Sequence, residues 1–114
     1  MNLVILTGFV GNEPSLTESG TGQSILRFNL ATRRNKSKEP DWHRCVMYGN
    51  YAKKMNERIK KGVRLAINGR IKYSKVIVNK QQCFFTDILV NNVEVLQYSQ
   101  FEEDTEEKEQ EDFF

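Results

Sequence analysis

The chain has 114 residues, of which 39% are hydrophobic and 28% are charged, so it has room for one domain with its own core and none for a second. Residues 1–98 carry 16 Lys and Arg against seven acids, a net +9, whereas residues 99–114 carry one Lys against eight acids, a net −7. This division predicts a basic domain that binds a polyanion, followed by an acidic, disordered tail that binds proteins. Solubility alone is the alternative for either charge excess.

Few residues of the chain suit a catalytic or metal site. Cys45 and Cys83 lie far apart without CxxC spacing, and the single histidine, His43, does not complete a metal site with them, so we expect no metal and no cofactor. No Ser-His-Asp set, P-loop or paired core carboxylates occur, which argues against an enzyme such as a small nuclease. The N-terminal segment predicts no secretory signal and no membrane span, and hence a soluble intracellular protein.

The first third of the chain has the pattern of a bent barrel strand followed by a hairpin. Residues 2–10 are rich in β-branched and apolar side chains, and Gly8 and Gly11 allow the strand to bend. Residues 12–22 predict a turn and hairpin. Residues 24–33 alternate, which predicts a half-buried strand with a basic outer face. Its inward side chains are Leu26, Phe28 and Leu30, and its outward ones are Arg27, Asn29, Ala31 and Arg33.

A third strand is predicted after a polar loop. Residues 33–41 are basic and contain Pro40, which indicates a mobile loop able to grip a nucleic-acid strand. Residues 42–48 then alternate, so two aromatic side chains and an arginine share one face. That face carries Trp42, Arg44, Val46 and Tyr48, and the opposite face carries His43, Cys45 and Met47.

The remaining elements complete a small barrel. Residues 51–61 predict the only helix, which ends before Gly62, and residues 63–73 predict a strand in which Gly69 marks a bulge. Five strands with one helix between the third and fourth are typical of an all-β protein of the OB-fold class, a partly open barrel. Residues 73–78 and 82–90 flank the segment NKQ, which is compatible with a hairpin, and residues 93–96 extend the last strand.

The face of the third strand suits unpaired nucleic acid. Unpaired bases expose flat π-faces, so a binder indifferent to sequence needs aromatic side chains for stacking and cations for the phosphates. Trp42 and Tyr48 supply the stacking surfaces, and Arg44 supplies the cation. The alternative is that both aromatics belong to the core, but the same face would then bury an unpaired Arg44.

Further positions are predicted to contribute to the same binding surface. Parity places Tyr73 inward unless Gly69 resets the register, and one of Phe84 and Phe85 is expected in the core, so Tyr73 and Phe84 are weaker candidates for stacking. Each cation taken singly is also compatible with an ordinary solvated charge. The candidate cations are Arg33, Arg34, Lys36, Lys38, Lys61, Arg70, Lys72 and Lys75.

Four segments resemble the successive motifs of the bacterial and phage single-stranded DNA-binding protein family. They are NLVILTGFVGNEP, RFNLAT, DWHRCVMYGNYA and KKGVRLAINGRI, which occur in family order across residues 2–71. The resemblance implies base stacking by Trp42 and Tyr48 and phosphate contacts by Arg44, Lys61 and Lys72. A tryptophan found in some members is missing after Thr32, so stacking there is expected to be weaker or shifted.

The C-terminus is similar to the protein-docking tip of that family, although it reads EDFF instead of ending in Ile-Pro-Phe and the usual long linker is almost absent. An acidic segment cannot pack by itself, so it displays its terminal aromatics at the end of a charged leash. We expect an apolar pocket ringed by Lys or Arg on a partner to capture Asp112, Phe113 and Phe114.

These observations predict a protein that binds single-stranded DNA without strong sequence preference, protects it, and recruits replication, recombination and repair proteins. A primosome-type OB-fold adaptor that acts mainly through protein contacts is the alternative, and stacking alone does not distinguish DNA from RNA. The N-terminal strand can pair with a second copy, and the resemblance implies a homotetramer or a dimer. The expected location is the bacterial cytoplasm or nucleoid, with a phage origin left open.

Overall fold

The computed structural model describes residues 1–35 and 38–98, and within them the backbone forms one sheet of six strands and one helix. Gly, Pro and Asn residues lie in the turns and loops that join the elements. The elements are β1 (Val4–Val10), β2 (Ser15–Glu18), β3 (Ser24–Arg33), β4 (Pro40–Tyr48), α1 (Gly49–Met55), β5 (Arg64–Val78) and β6 (Gln81–Gln97).

The sheet closes on itself as a barrel. Its strand order is β1-β5-β6-β4-β3-β2, and an additional pairing of Phe9 with Ala31 brings β1 against β3. The pairs are antiparallel except for β4 and β6, which run parallel through Cys45–Ile88 and Val46–Leu89. This is the predicted OB-fold architecture, with α1 between β4 and β5.

Two strands of the barrel confirm the predicted alternation. Leu26, Phe28 and Leu30 of β3 are buried, as are Cys45 and Met47 of β4. They pack with the inward side chains of β1, β5 and β6 into one hydrophobic cluster. Alternation with a period of two residues therefore predicted which side chains of β3 and β4 point into the core.

Ala31 departs from the prediction, since it is buried although it was placed on the outer face. The cause is the crossing of β1 over β3. A Cβ on Gly8 would overlap the carbonyl group of Ala31, so the two backbones approach each other as only glycine allows. Ala31 is covered by this close contact.

The strand count and the helix bounds both need correction. β2 lies inside the segment predicted as turn and hairpin, and all four of its residues are exposed, so no alternation marks it. The helix spans Gly49–Met55 instead of residues 51–61. Ala52, Met55 and Ile59 are buried at helical spacing, but the backbone turns after Met55 and delivers Ile59 to the core without a continuous helix.

β5 and β6 form a hairpin that extends beyond the barrel, as the two segments flanking NKQ predicted. Its pairs run from Arg64–Gln97 to Val78–Gln81, and Asn79 and Lys80 both adopt positive φ at the turn. The predicted irregularity at Gly69 is present as a register shift between Asn68 and Gly69. No helix among the described residues is long and apolar enough to cross a bilayer.

Candidate nucleic-acid interface

β4 divides its side chains between the core and an outward face, as the sequence predicted. Trp42 is 55% exposed and Arg44 is exposed, whereas Cys45 and Met47 are buried on the other side. Tyr48 is half-buried at the end of the strand, and Val46 forms an apolar floor between the larger side chains. Trp42 is therefore not a core aromatic, and its exposed surface is available for stacking.

The indole of Trp42 lies against the backbone where β1 ends. A Cβ on Gly11 would overlap the ring atoms Cζ3 and Cη2, so only glycine leaves room for the ring in this position. The amide of Gly11 donates to the carbonyl oxygen of Asn29 at 3.0 Å, which fixes the segment beneath the ring. The rigid support orients Trp42 with little entropy left to lose on binding.

Arg44 is held by two side chains of β6. Its Nε lies 3.1 Å from Oδ1 of Asp87, and its Cζ lies 4.8 Å from the centroid of the Phe85 ring. Contacts of this kind fix the plane of the guanidinium group. Arg44 is thus positioned as a flat cation between Trp42 and Tyr48, able to contact either a base or a phosphate.

Phe85 and Asp87 are site residues that the sequence patterns above do not predict. The alternation of Cys83, Phe85 and Asp87 along β6 contains a usable signal, because alternate residues share one face of a strand. That face meets β4 only through the parallel β4–β6 pairing, which no local pattern reveals.

Lys72 of β5 reaches the same surface. Its Nζ lies 3.5 Å from the hydroxyl oxygen of Tyr48 and 5.5 Å from the ring centroid. Lys72 pairs in register with Asp87, and Arg70 pairs with Leu89 two residues along, so both cations lie on this side of the sheet. We call the surface the aromatic–basic face; its members are Trp42, Arg44, Tyr48, Arg70, Lys72, Phe85 and Asp87.

Several predicted cations lie near the Trp42 end of this face. Arg33 pairs with Pro40 in the β3–β4 ladder, two residues from the pair of Ala31 with Trp42. Lys38 precedes β4 and is exposed, and Lys61 precedes Gly62, whose amide donates to the carbonyl oxygen of Val10. These positions extend the positive charge beyond the aromatic side chains.

Arg34 differs from its neighbours because its charge is already compensated. Its Nε lies 2.6 Å from Oδ1 of Asp41, and its Nη1 lies 3.9 Å from Oε1 of Glu39. Phosphate contact by Arg34 would have to compete with these two exposed carboxylates. The candidate Lys36 lies outside the described residues, as do Asp112, Phe113 and Phe114.

The structure does not bring Tyr73, Lys75 and Phe84 to the aromatic–basic face. Ser74 pairs with Phe85, and Lys75 pairs with Phe84, so Phe84 lies on the opposite face of the hairpin from Phe85. The expectation that one of Phe84 and Phe85 belongs to the core is wrong, because Phe84 is exposed and Phe85 half-buried. Tyr73 does keep the parity of the inward residues, but it is exposed because the hairpin there has passed the end of the core.

A pocket of about 170 Å³ opens beside Arg44, between β3, β4 and β6. Val46 lies at its apolar base, and Arg27, Asn29 and Asp87 contribute polar walls. The amide of Asn29 donates to Oδ1 of Asn12 at 2.9 Å, which ties the wall to the segment after β1. The pocket offers both hydrogen-bond donors and an ionised acceptor next to the stacking residues.

Two titratable groups behind the face have shifted pKa values. Burial raises the pKa of the Cys45 thiol to about 12, and the nearby carboxylate of Asp87 adds to the shift, so this thiol stays protonated. Burial also lowers the pKa of His43, and this effect outweighs the opposing influence of Asp41. Nε2 of His43 shares a hydrogen bond of 2.8 Å with Oγ1 of Thr32.

The described residues contain no group of three or more His, Cys, Asp and Glu side chains arranged to hold a metal ion. The aromatic–basic face instead presents stacking surfaces and fixed cations. Such an arrangement binds planar rings joined by phosphates, and it supplies no activated nucleophile.

Comparison with known proteins connects this geometry to one family. A model of the single-strand binding protein family matches residues 1–96. The single-stranded DNA-binding protein 1 of Chlorobaculum tepidum is 31% identical over 105 residues, covering 84% of this chain and 65% of that protein. The single-stranded DNA-binding protein of Xanthomonas campestris is 30% identical over 104 residues, covering 84% of this chain and 60% of that protein.

A solved structure gives the same result for the fold. The Plasmodium falciparum SSB, solved in complex with ssDNA, superimposes with a TM-score of 0.74 at 28% identity, covering 85% of this chain and 96% of that chain. The two curated relatives are longer, and this chain spans less than two thirds of their length. From the match over residues 1–96, the chain belongs to the single-strand binding protein family.

Proposed function

We propose that this chain binds single-stranded DNA with little sequence preference and protects it, without catalysing a reaction. The single observation that carries the proposal is the half-exposed indole of Trp42 on the same strand face as the fixed guanidinium of Arg44. Aromatic stacking contributes about 1–3 kcal/mol per base and accepts every base, because each has a π-face.

The relatives support this choice of ligand. Two curated relatives are named single-stranded DNA-binding proteins, and the solved Plasmodium structure holds ssDNA. The net +9 of residues 1–98 adds the electrostatic component that a phosphate backbone requires. A duplex stacks its bases internally, so it cannot use Trp42 or Tyr48 in the same way.

Binding of a labelled oligo-dT by the whole chain, followed by fluorescence anisotropy, tests the proposal. Affinity should fall as salt rises from about 50 to about 200 mM, with a slope near −0.7 per phosphate contacted. Unlabelled oligo-dT should displace the probe at concentrations at which a duplex of equal length does not. Equal competition by the duplex would contradict stacking, and equal competition by oligo-rU would extend the ligand to RNA.

The proposal includes recruitment of replication, recombination and repair proteins through residues 99–114. The support is chemical: eight acids and a terminal Phe113-Phe114 pair suit a basic-rimmed apolar pocket on a partner. A chain that ends at Asp112 should keep its affinity for oligo-dT and lose these protein contacts. The place of action that fits such partners is the bacterial cytoplasm or nucleoid.

The proposal also includes self-association, with a homotetramer favoured over a dimer. β3 pairs with β1 only at Phe9 and Val10, so no described strand lies along the second edge of residues 4–7. An unpaired strand edge exposes backbone N–H and C=O groups, which can form hydrogen bonds with a strand of a second copy. Leu3 and Ile5 are exposed beside that edge, which adds apolar surface for a second copy to cover.

A further inference from the structure

Asp87 is an unexpected residue at the centre of the aromatic–basic face. It pairs in register with Lys72 and forms the ion pair with Arg44, and its side chain is only 18% exposed. On a surface that binds a polyanion, a carboxylate weakens the attraction for every phosphate that passes. The ion pair with Nε of Arg44 leaves other acceptor positions of the carboxylate open to a further donor.

The pocket beside Arg44 shows where such an interaction can occur. Asp87 lines it together with Arg27 and Asn29, over an apolar base that includes Val46. Its volume of about 170 Å³ leaves room for one base. The polar groups of the pocket, and not its size, therefore determine which base it prefers.

The polar groups of the pocket distinguish cytosine from the other pyrimidines. An ionised carboxylate accepts hydrogen bonds at about four positions, and the monodentate contact with Nε of Arg44 occupies one of them. Carboxylates pair with the N4 amine of cytosine, whereas uracil and thymine present a carbonyl oxygen at that position. The guanidinium of Arg27 supplies donors for the ring acceptors N3 and O2 of cytosine.

We propose that this pocket takes one cytosine of the bound strand, with Asp87 accepting a hydrogen bond from its N4 amine and Arg27 donating to N3 or O2. The proposal rests on the proposed function, because the pocket is filled only when a single strand lies on the aromatic–basic face. One selective position among sequence-tolerant stacking positions gives a modest preference for cytosine-rich strands and leaves other strands bound.

The test compares oligo-dC with oligo-dU of equal length, because the two differ in the group at C4 and the adjacent N3 proton and share an unmethylated C5. For the wild-type chain, the dissociation constant for oligo-dU should exceed that for oligo-dC. In Asp87→Asn, the amide oxygen is expected to accept from Nε of Arg44 and to turn its NH₂ group toward the base, which favours the uracil carbonyl. The ratio of the two dissociation constants should therefore fall by at least about five-fold.

Glu57→Gln is the matched control, since it removes one negative charge from an exposed residue after α1. Its dissociation constants should shift together, and the ratio should remain that of the wild type. If the ratio of the two dissociation constants changes equally in both variants, the effect is one of net charge and the proposed cytosine pocket is contradicted. An unchanged ratio in Asp87→Asn would also overturn it.

A modified ligand keeps the test decisive if Asp87→Asn does not fold. Oligo-dC methylated twice at N4 has no N4 hydrogen, so the wild-type chain should bind it at least about five-fold more weakly than oligo-dC. Equal binding of the methylated and unmethylated strands would overturn the proposal. A wild-type chain that binds none of these strands would overturn the proposed function itself, whereas binding without discrimination overturns the pocket alone.

Discussion

At the scale of single residues, the position of Trp42 depends on the absence of a side chain at Gly11. The indole lies where a Cβ would be, so the ring and the backbone are in direct contact. Nothing comparable surrounds Gly20, where an added Cβ would meet no atom within 4 Å. Comparing Ala substitutions at the two glycines therefore separates the effect of displacing Trp42 from the general effect of replacing a glycine by alanine.

Gly11→Ala is expected to displace the indole and to weaken binding of oligo-dT by about 1 kcal/mol or more, because part of one stacking contact is lost. Gly20→Ala should bind as the wild type does. Titration of both variants with the same labelled strand measures the difference. Equal affinities would show that the orientation of Trp42 does not matter.

His43 makes the stability of the barrel depend on pH. Burial lowers its pKa in the folded state below the ordinary value of 6.5, so the unfolded chain binds the proton more readily. The free energy of unfolding should therefore be highest above the unfolded pKa and should fall as pH decreases toward the folded pKa. Because His43 is only half-buried, its contribution to the slope should lie well below the limit of about 1.4 kcal/mol per pH unit for one proton.

Urea denaturation at about pH 8 and about pH 5.5 measures this contribution, with His43→Gln as the comparison. The variant should lose part of the pH dependence, since glutamine does not titrate. A wild-type chain that becomes more stable as pH falls through this window would contradict the assignment, as would a variant with the same slope as the wild type.

At the scale of elements, the β5–β6 hairpin presents two different faces. Phe85 supports Arg44 on the aromatic–basic face, and the adjacent Phe84 is exposed on the opposite face. The two residues have the same chemistry and lie on the same strand. They therefore form a matched pair for testing which face of the hairpin binds DNA.

Phe85→Ala should weaken the binding of oligo-dT by about 1 kcal/mol, since Arg44 loses its aromatic support. Phe84→Ala should have a much smaller effect on affinity. Both affinities are obtained from the anisotropy titration, with thermal unfolding as a check on the fold. A larger loss for Phe84→Ala would place the DNA on the other face, in agreement with its selection from sequence.

Features that depend on neighbouring residues were predictable from the sequence, whereas contacts between distant strands were not. Alternation along β4 is a property of adjacent residues, so Trp42 and Arg44 were separated correctly from Cys45 and Met47. The contact of Arg44 with Asp87 requires parallel pairing of strands distant in the chain, and no local pattern predicts it.

Element ends were missed for a related reason. The helical spacing up to Ile59 was real, but burial of that side chain is achieved by a turn after Met55, and spacing alone does not separate the two. β2 was missed because its four exposed residues leave no alternation to read.

At the scale of the whole molecule, the open edge of β1 and the apolar residues beside it predict self-association. Ile5→Lys places a charge on that surface, so the assembly should become smaller than that of the wild type. Ile77→Lys is the control, because Ile77 is also 69% exposed but lies near the hairpin tip. Light scattering on the 13.3 kDa chain gives the number of copies directly.

A wild-type chain that is monomeric at all concentrations would contradict the proposed assembly. A change in mass for Ile77→Lys alone would move the contact from β1 to the hairpin. Affinity for oligo-dT measured on the same samples shows whether assembly and DNA binding depend on each other.

The central claim is that a single strand stacks on Trp42, and the fluorescence of this residue tests it most directly because it is the only tryptophan in the chain. Addition of oligo-dT to the wild-type chain should quench the emission strongly, and duplex DNA of equal length should not. Quenching should saturate at the same concentrations at which anisotropy reports binding. A complex that forms without any change in Trp42 emission would contradict the stacking role, and the absence of any complex would contradict the proposed function.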